Sequence, residues 1–127
     1  MTASGSRQRA DRRDGRLGGV TQTVSGPEDL PHWVRTLSIG HGRDPAAVAA
    51  AAAFARAFQQ AGGEIISVVD WPARAASWLK AARRLTGGGP DAWVLVPPAP
   101  GWPQVRKRLL DGADWDPVRT YVLNRQV

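Results

Sequence analysis

The 127-residue chain is about one domain long, and its 43% hydrophobic and 22% charged residues sit near globular averages, arguing against disorder throughout. The lack of cysteine excludes disulfides, thiolate metal sites and cysteine nucleophiles; with only His32 and His41 and no His/Asp/Glu cluster at ligand spacing, no metal site is expected. Half of the net charge of +6 falls in the first nineteen residues, where Arg7, Arg9, Arg12, Arg13 and Arg16 outnumber Asp11 and Asp14.

Residues 1–31 read as a disordered basic tail rich in Ser, Gly, Arg and Thr, apart from a possible short strand near 20–24. The tail has no apolar h-region, so it is not a secretory signal. The folded lobe is expected over 32–127. A first strand, 34–39, stops at Gly40-His41-Gly42. Asp44 then offers an N-cap and Pro45 suits the first helical position, where a missing N–H costs nothing. The following helix runs to about Ala61, with Ala47, Ala51, Phe54, Phe58 and Ala61 on one face and Gly62-Gly63 as its stop.

The run Glu64-Ile-Ile-Ser-Val-Val69 predicts a second strand covered on both faces. Asp70-Trp71-Pro72 closes it, a helix is expected over 73–85, and Gly87-Gly88-Gly89-Pro90 breaks that helix. A third doubly covered strand, 92–96, leads through Pro97-Pro98-Ala99-Pro100-Gly101 into a short helix over 103–110, whose Arg106-Lys107-Arg108 reads as a solvated face. Asp111, Asp114 and Asp116, interleaved with Gly112, Trp115 and Pro117, read as turn chemistry before a fourth strand at 120–123. No segment supplies an apolar run suited to spanning a bilayer, so the chain as written is expected to be cytoplasmic.

Strands alternating with helices argue for βαβ units. The expected fold is a three-layer α/β sandwich on a mainly parallel, Rossmann-like sheet of about four strands. Ligands of such sheets bind at the carboxyl ends of the strands. That places a candidate site in the loops 40–44, 70–72 and 97–102, with Gly40, His41, Gly42, Trp71 and Trp102 as the ligand contacts. Gly40-His41-Gly42 also begins like a dinucleotide fingerprint. Asp70 closes the next strand, so an NAD(P)-binding oxidoreductase domain built on Gly40, Gly42 and Asp70 is the alternative. Pro45 stands where that fingerprint has its third glycine. His41 has the intrinsic pKa of a general base but no partner in sequence. There is no Ser/His/Asp elbow, no phosphate loop with lysine and no paired carboxylates in helical register. Neither a catalytic residue nor a cofactor is expected. The basic tail keeps a nucleic-acid partner as a further alternative.

Four pieces carry a resemblance to a known family: Val34-Arg-Thr-Leu-Ser-Ile39 with Ala52-Ala-Phe-Ala-Arg-Ala-Phe58; Gln60-Ala-Gly-Gly-Glu-Ile-Ile66; Ala81-Ala-Arg-Arg-Leu85 with Gly89-Pro-Asp-Ala-Trp-Val-Leu-Val96; and Val105-Arg-Lys-Arg-Leu-Leu110. In order and spacing they resemble the second lobe of type I periplasmic substrate-binding proteins, the branched-chain amino-acid-binding family of ABC transporters. The resemblance spans about 34–123. It implies a non-enzymatic lobe of a clamp that closes on a small, polar, amino-acid-like ligand. It also implies a second lobe or a fused domain as partner, and an extracytoplasmic setting if a leader precedes the sequence.

Overall fold

A computed structural model describes residues 20, 22–112 and 114–124. Five strands form one sheet: β1 (Gln22–Val24), β2 (Thr36–His41), β3 (Glu64–Asp70), β4 (Ala92–Val96) and β5 (Thr120–Leu123). Three helices alternate with the last four strands: α1 (Pro45–Gln60), α2 (Leu79–Thr86) and α3 (Trp102–Gly112). The spatial order is β1-β5-β4-β2-β3, and every pairing is parallel. The parallel α/β sandwich expected from the alternation is therefore the fold, with five strands in place of about four.

The two faces of the sheet follow from the alternation of side chains along each strand. Ala92, Val94 and Val96 of β4 point into one apolar cluster with Leu37, Ile39, Tyr121 and the buried residues of α1, Ala47, Ala51, Phe54 and Phe58. Trp93 and Leu95 point the other way, into a cluster with Val69, Trp71, Leu85, Trp102, Val105 and Leu109. Thus α1 covers one face and α2 and α3 share the other. A right-handed crossover dictates this arrangement, because the chain steps outward from β2 to β3 and then reverses across β2 to reach β4. The reversal point lies between the carboxyl ends of β2 and β4.

Local chemistry sets the helix ends. The Asp44 carboxylate accepts from the N–H groups of Ala46 and Ala47 at 3.1 and 3.2 Å, and Pro45 occupies the first turn. Gly62, at φ +97, turns the chain out of α1 in a conformation that favours glycine.

Three expectations are corrected. The fold begins upstream of residue 32: β1 pairs with β5, and Val20 and Val24 are buried. The part of the tail before Val20 lies outside the described residues. The second strand is an edge strand paired only with β2, so Glu64 and Val68 are exposed and only Val69 is fully buried. An apolar run cannot show which strand lies outermost. Finally, α2 starts at Leu79 and not near Ala73. Trp78 lies over Gly101, where a Cβ would meet its ring at 2.8 Å, and the Ser77 hydroxyl accepts from the Leu79 N–H. That docking fixes where the helix starts. Among the described residues, no helix is long and apolar enough to cross a membrane.

Candidate functional site

The loops after β2, β3 and β4 do meet at the carboxyl edge, but they meet by filling the reversal point. Gly42 is pressed against the proline loop. A Cβ there would sit 3.2 Å from the Pro98 carbonyl oxygen and 3.3 Å from Pro100. The Trp71 indole lies across Gly40, where a Cβ would meet its ring at 2.9 Å. Trp71 is further held by two hydrogen bonds: its Nε1–H donates to the Pro100 carbonyl at 3.1 Å, and its backbone N–H donates to the His41 carbonyl at 3.2 Å. Its ring stacks on Trp102, with centroids 6.2 Å apart, and Trp102 meets Trp115 edge-on at 5.9 Å. Such offset and edge-to-face pairs suit the aromatic quadrupole.

The five sequence-predicted contacts are therefore gathered at one edge but are inside it. Trp71 and Trp102 are each 1% exposed, and His41 is 5% exposed. His41 Nδ1 lies 2.6 Å from the Gly42 carbonyl, so that nitrogen carries the proton and donates. Both glycines serve the close packing of indole and prolines. The tryptophans join the core beneath α2 and α3 and do not stand as open walls. Trp102 Nε1 finds no acceptor among the described residues, and nothing in its surroundings explains why.

The open part of the edge lies one step outward, between the end of β3 and α2. A pocket of about 160 Å³ is lined there by Arg43, Asp70, Trp71, Trp78, Lys80 and Arg84, among others. Arg43 leaves the β2 loop and Asp70 ends β3. Their side chains pair through Nε and Oδ2 at 3.2 Å, both substantially exposed. An ion pair so placed contributes little stability. Lys80 and Arg84 are one helical turn apart on α2, so they share a face. Of the predicted contacts only Trp71 lines this pocket. The sequence signal that could have found the rest was the Lys80/Arg84 spacing, which becomes informative only once α2 is known to begin at Leu79.

Two larger concavities lie elsewhere. One of about 290 Å³ sits at the amino end of the sheet, between residues 27–35 and Phe58. The other, a shallow apolar groove of about 470 Å³, runs along α1 beside Leu123. The smaller carboxyl-edge pocket is the better candidate, because it combines the position that parallel sheets favour with convergent charged groups. Among the described residues, no three His, Asp or Glu side chains are grouped as metal ligands.

Fold and pocket together make a parallel α/β sandwich with a charged pocket at its carboxyl edge. Comparison with protein-family models, curated proteins and solved structures yields no match to this chain.

Proposed function

We propose that this protein is a non-catalytic binding module for a small, polar, amino-acid-like ligand, which docks at the carboxyl edge of the sheet. The observation that carries this reading is the pocket between β3 and α2. There one carboxylate, Asp70, and three cations, Arg43, Lys80 and Arg84, line the same pocket as the half-buried indole of Trp78. Groups of both signs beside an apolar wall complement a ligand that bears a carboxylate and a short carbon chain. The pocket, of about 160 Å³, has room for several waters or for a small organic molecule. The resemblance to one lobe of a substrate-binding protein points the same way. In that setting a second lobe or fused domain would close over the open side of the pocket.

The NAD(P) reading draws less support. The space in front of Gly42, where a pyrophosphate would approach, is taken by Pro98 and Pro100, and Asp70 is engaged by Arg43.

A thermal-shift panel of amino acids and short organic acids tests the proposal. Binding to the folded state alone raises the melting midpoint by mass action. At least one compound is expected to raise it, and Trp78→Ala or Arg43→Gln should abolish the effect. Silence across the panel would overturn the proposal, and a shift with NAD or NADP alone would favour the oxidoreductase reading.

A further inference from the structure

β3 is the outermost strand on its side of the sheet, and among the described residues no strand pairs beyond it. The Trp71 N–H donates to the His41 carbonyl. Alternate residues of a parallel strand turn their backbone groups to opposite sides, so Val69 also faces β2 while Val68 and Asp70 turn theirs outward. A register shift lies opposite Leu37 and Ser38, but the half from Ser67 to Asp70 pairs regularly. The two faces beside this open edge differ. α1 packs over β2 and β3. Its flank toward β5 is Ala50, Ala53 and Ala57, which line the groove beside Leu123. The opposite flank, Val48, Ala52 and Ala55 at steps of four and three, therefore looks toward the free edge. Val48 and Val68 are 44% and 37% exposed, and Val68 lies on the α1 side because Val69 points into the other cluster. On the α2 side, Lys80 and Arg84 line the pocket at the end of β3 and have no carboxylate partner among the described residues. Asp70 is engaged by Arg43 and does not compensate them.

We infer that β3 accepts an extended segment of a partner protein as an added strand, one in which acidic and apolar side chains alternate. Its backbone bonds the outward N–H and C=O groups of Val68 and Asp70. Its apolar side chains continue the surface of Val48, Ala52 and Val68. Its carboxylates, on the other face, meet Lys80 and Arg84. Strand addition draws affinity from the main chain and specificity from alternate side chains. The cations choose the occupant: a second copy paired through β3 would bring its own Lys80 and Arg84 against the same charges, and like-charge contacts are costly. The inference goes beyond the small-ligand reading and does not depend on it.

The test is fluorescence anisotropy of the full chain with a labelled short peptide of alternating Glu and Val, at constant ionic strength. This peptide is expected to bind saturably. A copy N-methylated at alternate residues, which lacks the pairing N–H groups, and an alternating Lys/Val peptide should each bind at least about tenfold weaker. Val68→Pro removes an outward N–H from an edge strand, where proline is tolerated. Lys80→Glu combined with Arg84→Glu reverses the charged face. Each change should weaken the Glu/Val peptide by about tenfold or more. The charge variant alters only exposed side chains and should keep the parent melting midpoint, so it decides the question if Val68→Pro unfolds. No binding of the Glu/Val peptide, or equal binding of either control peptide, would overturn the inference. A dimer that forms without peptide and is lost in Val68→Pro would overturn it too, because the edge would then belong to a second copy. The amino-acid panel reads the small-ligand site separately, so failure here leaves the proposed function standing.

Discussion

Asp91 shows how much one side chain can do at the amino edge of the sheet. Its Oδ2 accepts from the N–H groups of Arg35 and Thr36 at 2.8 and 3.1 Å, while its own N–H reaches the Thr36 hydroxyl at 2.8 Å. The start of β4 is thereby tied to the start of β2. The Arg35 N–H holds the Asp91 carboxyl below its ordinary range. Partial burial opposes this, and Thr36 and the Arg119 charge add to it. A carboxyl lowered in the folded state contributes stability above its unfolded pKa, and that contribution is lost as pH falls through the folded value. The melting midpoint should therefore drop on acidification below about pH 4, and Asp91→Asn should lose stability at pH 7 but show a flatter acid limb. An unchanged acid limb in the variant would remove Asp91 from the explanation. Gly40 is a second residue-scale case. Its missing Cβ makes room for Trp71, so Gly40→Ala should overpack the edge and cost about 1–3 kcal/mol in a denaturant titration. Wild-type stability in that variant would free Gly40 from its packing role.

At the level of elements, α1 follows closely from its sequence. The spacing of Ala47, Ala51, Phe54, Phe58 and Ala61 predicts its buried face; the first four are buried, whereas Ala61, at the C-cap, is exposed. Asp44, Pro45 and Gly62 mark its ends for reasons that are local to the backbone. Asp44→Ala should accordingly cost about 0.5–2 kcal/mol of stability, read from chemical denaturation, because two N–H groups of the first turn lose their acceptor. β3 and α2 were less legible. The apolar run of β3 is equally compatible with a central and an edge strand, and only the strand order separates them. The start of α2 depends on Trp78 docking over Gly101, a contact between residues far apart in the chain.

For the whole molecule, the N-terminal strand matters most. β1 closes the β5 edge, with Thr23 opposite Val122 and Val24 opposite Leu123, and the Asn124 N–H donates to the Val24 carbonyl at 2.7 Å. Removing residues 1–32 would strip that strand and leave the β5 ladder open, an invitation to edge-to-edge association. Such a truncation should lower the melting midpoint and raise aggregation, whereas removal of 1–18 should leave the melting midpoint of the sheet close to that of the full chain. If both truncations melt alike, β1 is dispensable.

The sequence by itself determined the parallel α/β architecture, the capping of α1 and the edge on which the loops converge. These rest on periodicity and on backbone rules that act over a few residues. Only the tertiary structure decided the strand order, which puts β3 outermost and reverses the chain between β2 and β4. It likewise decided that Trp71 and Trp102 go inward while Arg43, Asp70, Lys80 and Arg84 gather outside. Which of two indole faces becomes core depends on what packs against it, and here the partners are Gly40, Pro100 and Trp115, none of them neighbours in sequence.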